Sequence, residues 1–193
     1  MSDDFTGDFA KFYESMIEKF AGEDGFAEDE IQLAKRVAGG DLLEIGFGTG
    51  HAMQRMALAA PTTRFTGIDP SPDFVEQAAG RVPHARLECA RVDDMDKLFQ
   101  PASFDAVTSA CVVHFLPSLD AYFAAVARVL RPGGVTHLAA WEAMTTCDEA
   151  DGHKLYTADD VRNAMAGAGL QMETTRSWNF HDFGTIVTCV GTK

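Results

Sequence analysis

Residues 42–50 read Leu-Leu-Glu-Ile-Gly-Phe-Gly-Thr-Gly, and a second apolar run, Phe65-Thr66-Gly67-Ile68, ends on Asp69. A short strand therefore enters a turn with three alternate glycines, and a second strand stops on a carboxylate. An α/β chain builds a socket for an adenosine-containing cofactor in this way. The glycines let bare backbone approach the ligand, and the acid at the second strand's tip accepts hydrogen bonds from ribose hydroxyls. A dinucleotide fingerprint requires G-x-G-x-x-G. Here the last of those positions is His51, which weakens the case for NAD or NADP.

The rest of the chain reads as repeated strand–helix units. Apolar residues at helical spacing (Phe9, Phe12, Tyr13, Met16, Ile17, Phe20) predict a helix over 8–20, and a second is expected over 27–38, ending at Gly39-Gly40. Strands are predicted at 41–46, 64–69, 85–90, 104–110 and 135–141. Helices are predicted at 50–59, 72–80, 118–130 and 158–168. Ser71 is a plausible N-cap with Pro72 at the first helical position, and Thr157 should cap the last helix. Two final strands, 170–177 and 184–191, have no helix between them and should pair as a hairpin. Alternating β and α units imply a parallel sheet with helices on both faces, and the hairpin makes one strand antiparallel.

With 193 residues the chain has enough length for one full core. It has no apolar run of 18 residues, so no membrane span is expected, and its acidic start lacks an export signal. Cys89, Cys111, Cys147 and Cys189 are scattered and form no C-x-x-C pair. Reduced thiols and a cytoplasmic setting follow from this. The net charge of −13 argues against a nucleic-acid partner, because phosphate binding needs a basic face. Lys35-Arg36 is the nearest basic pair and reads as a solvated helix face.

The form E-x-G-x-G-x-G, Glu44 to Gly50, resembles motif I of the class I S-adenosylmethionine (SAM)-dependent methyltransferases. Further markers follow in the family's order over residues 40–191. They are Val92-Asp93-Asp94-Met95 after strand 3, Phe104-Asp105-Ala106-Val107 at strand 4, Arg128-Val129-Leu130-Arg131-Pro132-Gly133-Gly134 before strand 5, and Tyr156-Thr157-Ala158-Asp159-Asp160 through Ala168-Gly169-Leu170. The resemblance is nearest to the small-molecule branch that includes quinone-biosynthesis and natural-product enzymes. It implies a Rossmann-like, doubly wound, seven-stranded sheet in a three-layer α/β/α fold, with the last strand reversed. It also implies two parts in one globular unit: N-terminal helices over 1–39 forming a lid, and a SAM-binding domain over 40–193.

The same resemblance implies the site. Cofactor contacts fall on Glu44, Gly46, Phe47, Gly48, Gly50, Asp69, Pro70, Val92, Asp93, Ala110 and Cys111. Glu44 has a structural alternative, holding the glycine loop. Asp93 and Asp94 compete for the adenine edge, or cap a short helix. The family often carries an acid directly after strand 3, where this chain has Cys89-Ala90-Arg91-Val92.

Methyl transfer is an in-line displacement on a carbon already activated by a sulfonium, so the protein mainly aligns and desolvates. A base is needed only when the acceptor must lose a proton. His114, just after strand 4 at the carboxyl edge of the sheet, is the candidate base, with a pocket-shaping role as its alternative. His51, beginning the helix after the glycine loop, is a candidate contact for the cofactor carboxylate. His137 reads as core, His84 as surface, and His153 and His181 as loop residues. No His/Cys/Asp spacing resembles a metal site. Phe12, Tyr13, Met16 and Trp141 are candidates for an apolar substrate lid, with Trp178 as a second aromatic wall. The expected partner is a small hydroxylated or aromatic acceptor, and the expected state is monomer or homodimer. An NAD(P)-dependent oxidoreductase and a SAM-binding protein without methyl transfer are the competing readings.

Overall fold

The computed structural model describes residues 26–142, 149–150, 153–180 and 184–193. The predicted helix over 8–20, with Phe12, Tyr13 and Met16 of the expected lid, lies outside the described residues, as do Cys147 and His181.

Helix α1 spans Phe26–Arg36 and is followed by β1, Asp41–Ile45. Then come α2 (His51–Ala59), β2 (Arg64–Asp69), α3 (Pro72–Arg81) and β3 (Arg86–Cys89). A 3-10 turn, Val92–Asp94, runs into a one-turn helix α4, Met95–Leu98. Strand β4 (Phe104–Ala110) leads to a second 3-10 turn, Val113–Phe115, and then to α5, Leu119–Val129. Strand β5 is Leu130–Trp141. A small hairpin of β6 (Glu149–Ala150) and β7 (His153–Lys154) precedes α6, Ala158–Gly167. The chain closes with β8 (Gln171–Phe180) and β9 (Gly184–Thr192).

The main sheet has seven strands in the order β3-β2-β1-β4-β5-β9-β8. All pairs from β3 to β5 are parallel, and β9 runs antiparallel to both its neighbours. The fold expected from sequence is therefore the fold observed, with β9 as the reversed strand. Strand β5 begins earlier than its predicted start at 135. Leu130 already pairs with Phe104, so Arg131-Pro132-Gly133-Gly134 opens the strand. Arg131 is fixed there by Asp105 at 2.6 Å and Asp41 at 3.0 Å. Asp105 Oδ2 also accepts from the Asp41 amide.

Alternation along the strands splits the core in two. On one face, Leu42, Ala106 and Val135 pack with Leu33 and Ala34 of α1, Met53 and Met56 of α2, and Ala78 of α3. On the other face, Leu43, Ile45, Val107, Leu138 and Val187 pack with Tyr122, Phe123 and Val126 of α5 and Val161 and Met165 of α6. Each large apolar side chain so enclosed contributes roughly 1.5–3 kcal/mol. The three-layer arrangement leaves the carboxyl ends of β1, β2 and β4 as the place where loops meet. Helix α1, which the sequence reading assigned to a lid, is part of the first of these cores.

Candidate active site

The glycine loop is held by its neighbours on three sides. The Gly46 amide donates to the Ile68 carbonyl at 2.8 Å, tying the loop to β2. Gly46 has φ +71°, and a Cβ there would lie 2.2 Å from Val112 Cγ2. Only glycine satisfies both the backbone and the packing. Gly50, at φ +84°, caps α2 in the left-handed conformation. The Arg81 guanidinium, from α3, donates to the Thr49 carbonyl.

Asp69 joins this loop to the tip of β2. Its Oδ2 accepts from the Gly48 amide and its Oδ1 from the Ser71 amide, both at 2.9 Å. Each oxygen keeps a further lone-pair direction, so the same carboxylate can accept from sugar hydroxyls. Burial pushes its pKa up to about 6, and the two amide hydrogen bonds oppose that rise. The amides of Gly46, Gly48 and Gly50 donate to Ile68, Asp69 and Phe47 respectively. None of the three is left over for a pyrophosphate, which a dinucleotide would require.

Glu44 is buried on β1, and its Oε2 has no hydrogen-bond partner. Burial, and then the negative charge of Glu30, hold its carboxyl well above the ordinary carboxylate range. An unsatisfied buried acceptor two residues before the glycine loop suits a cationic ligand, and SAM carries both an ammonium and a sulfonium. The residues present therefore fit SAM.

The β4 side completes the edge. Cys111 takes φ +57° and donates its amide to the Ala139 carbonyl at 2.8 Å. Ala110 and Cys111 are half-buried at the carboxyl end of β4. Val112 then packs on Gly46, and His114 follows in the 3-10 turn, buried, with its ring edge-on to Phe115 at 5.5 Å. This packing brings His114 and the glycine loop to one edge, although they are 68 positions apart in the chain (114 − 46). Lys154 of the β6–β7 hairpin donates to the Pro117 carbonyl at 2.5 Å, which fastens that hairpin beside the His114 turn.

Other expected residues are placed as follows. Phe47 sends its side chain into the core against Gly67, and its carbonyl accepts from the Gly50 amide at 3.0 Å. Pro70 is exposed, and its carbonyl accepts from Cys89 Sγ at 3.6 Å. Val92 packs against the α5-side core. Asp94 pairs with Lys97 at 2.7 Å, whereas Asp93 is exposed. Neither Asp93 nor Asp94 makes a side-chain cap at the following helix. Trp141 is half-buried at the end of β5, beside Gly184. Among the described residues no group of His, Cys, Asp and Glu side chains is arranged to hold a metal. No helix among them is long and apolar enough to cross a membrane. An open groove lined by Arg36, Asp105 and Arg131 lies at the opposite, amino-terminal edge of the parallel strands, away from this chemistry.

Sequence reading missed Glu30 and Arg55. Glu30 is buried on α1, and Arg55 of α2 approaches it at 3.9 Å. The signal was available: Glu30 falls on the stripe Ala27-Glu30-Ala34 that points into the core. His137 is buried in β5 as expected, with Nδ1 3.0 Å from Thr108 Oγ1.

Known proteins resemble this chain. The methyltransferase domain model matches residues 43–138. A fatty-acid O-methyltransferase from Mycolicibacterium smegmatis is 32% identical over 144 residues, covering 75% of this chain and 48% of the relative. A malonyl-[acyl-carrier protein] O-methyltransferase from Hahella chejuensis is 29% identical over 168 residues, covering 80% of this chain and 60% of the relative. The chain thus spans about half of the first relative and three-fifths of the second. A geranyl diphosphate methyltransferase solved in complex with SAM has the same fold, with a TM-score of 0.75 at 15% identity, covering 100% of this chain and 92% of that one. Motif, strand order, loop geometry and relatives agree: the chain belongs to the class I SAM-dependent methyltransferase family.

Proposed function

We propose that this chain transfers the methyl group of SAM to a small hydroxylated or aromatic acceptor. The observation that carries the reading is Asp69, which grips the glycine loop through Gly48 and keeps lone pairs for ribose. Gly46, Gly48 and Gly50 shape the cradle, with Phe47 and Pro70 contributing backbone. Glu44 faces the cationic methionine end, together with Ala110 and Cys111. Val92 and Asp93 flank the adenine, and Asp93 is preferred because Asp94 is committed to Lys97. The cofactor supplies a methyl group on a positively charged sulfur. The chain's own residues orient it and exclude water.

Oxygen is the favoured acceptor atom, since the two relatives described above are named as O-methyltransferases. An acceptor hydroxyl must lose a proton, and His114 is the proposed base. The segment preceding α1, with Phe12, Tyr13 and Met16, would close over the acceptor together with Trp141. The strongly acidic surface favours a small molecule over nucleic acid. Cys89, Cys111 and Cys189 form no disulfide among the described residues, which fits a cytoplasmic setting, and monomer or homodimer is the proposed state.

The test is methyl transfer from labelled SAM to a panel of phenols, alcohols and carboxylic acids. His114→Ala should lower the rate at least tenfold with an ionisable hydroxyl acceptor while cofactor affinity stays within about twofold. An unchanged rate would remove His114 from the mechanism. Cofactor binding with no transfer to any acceptor would favour a SAM-binding protein with another role.

A further inference from the structure

Three buried carboxylates come from three elements around the glycine loop, and Asp69 holds that loop through the Gly48 amide. Glu44 comes from β1, Asp69 from the end of β2 and Glu30 from α1, and their exposures are 3%, 5% and 1%. The negative charges of Glu30 and Asp69 both act on Glu44. A polar row continues from Glu44 across the same face of the sheet, through Thr108 on β4 to His137 on β5. Sequence spacing places only Glu44 and Asp69 in the cofactor motif. Glu30 and His137 belong to none.

Charged and titratable groups face this cluster from several elements. From α2, Arg55 stands 3.9 Å from Glu30, and its attraction lowers the Glu44 pKa less than burial raises it. His51 opens α2 at the half-buried rim. From β5, His137 is held neutral, because burial pushes its pKa down to about 4. From α3, Arg81 is turned to the Thr49 carbonyl. Asp29, beside Glu30 on α1, is engaged by Thr188 and Arg176 at the far side of the helix. Carboxylates buried together resist simultaneous ionisation, and they retain a proton until a cation replaces it.

We propose that the Glu30–Glu44–Asp69 cluster exchanges bound protons for the positive charge of SAM, so that SAM binds with proton release and S-adenosylhomocysteine with less. The inference rests on the cofactor reading above and extends it to selection between cofactor and product. The two ligands share an ammonium, a carboxylate and ribose hydroxyls. They differ by the sulfonium charge, which the thioether of the product lacks. On binding, a protonated carboxyl gives its proton to solvent and its carboxylate faces the cation. When the sulfur becomes neutral after transfer, a proton returns and the product is held less tightly. The preference for SAM over S-adenosylhomocysteine therefore increases as pH rises, by up to about tenfold per pH unit for each proton fully exchanged.

The experiment is calorimetric titration of the full chain with each ligand near pH 6.5, in buffers of different ionisation enthalpy. The dependence of the observed heat on the buffer counts protons. The proposal expects release with SAM, a smaller count with S-adenosylhomocysteine, and a narrowed difference in Glu30→Gln. Equal counts for the two ligands, or none with SAM, would overturn it while leaving SAM binding intact. A purely structural Glu30 would leave the difference between ligands unaltered in Glu30→Gln. The comparison in the unmodified chain decides the matter even if that variant does not fold. Failure of both ligands to bind would overturn the cofactor reading itself, and this proposal with it.

Discussion

Gly46 illustrates how closely one residue can be specified. Its φ of +71° and the 2.2 Å approach of Val112 Cγ2 to an added Cβ leave no room for alanine. Gly46→Ala should therefore lose about 2 kcal/mol of stability, measured by urea unfolding, and weaken S-adenosylhomocysteine binding more than tenfold. His137 supplies a second residue-scale prediction. Its pKa falls from 6.5 to about 4 on burial, so the folded state holds it neutral. Its contribution to stability is complete above about pH 6.5 and is lost as pH falls towards 4. Asp69, raised to about 6, acts in the opposite sense over part of that range. Because Asp69 is common to both proteins, the difference between wild type and His137→Gln isolates the histidine. On acidification from pH 6.5 to 4, wild type should lose up to about 3 kcal/mol more than His137→Gln in denaturant titrations. Equal losses would show that His137 is not the acid-labile group. The placement of Gly46 and Asp69 was legible because it follows from strand ends and glycine spacing. Glu30 was not, because a glutamate in an acidic amphipathic helix reads as surface until tertiary packing turns it inward.

Elements were most legible where local chemistry and packing agree. Ser71 accepts from the Phe74 amide, Ser118 from Asp120 and Ala121, and Thr157 forms a reciprocal capping box with Asp160. Thr157→Ala should cost about 1 kcal/mol in thermal or urea unfolding, with S-adenosylhomocysteine affinity unchanged. A loss of affinity would mean that α6 is coupled to the site. The β8–β9 hairpin was readable because no helical segment separates its strands. The start of β5 was not, since Pro132-Gly133-Gly134 is a strong turn signal. Pairing of Leu130 with Phe104 and the ion pairs of Arg131 override it. The β6–β7 hairpin has two residues per strand, too few for any period to be visible.

At the scale of the whole molecule, the strand order and the reversed β9 place the glycine loop, Asp69 and the His114 turn at one edge of the sheet. Sequence alone reached this because β-α repetition fixes direction, and direction puts every β1, β2 and β4 carboxyl end together. The two-sided core was legible only in outline, since which helix covers which face depends on crossovers that no local pattern reports. The central claim is that this edge binds SAM rather than a dinucleotide. Calorimetric titration with S-adenosylhomocysteine, alongside NADH as control, tests it most directly. Saturable binding of S-adenosylhomocysteine with no heat from NADH is the predicted result. Binding of NADH alone, or of neither ligand, would contradict the account.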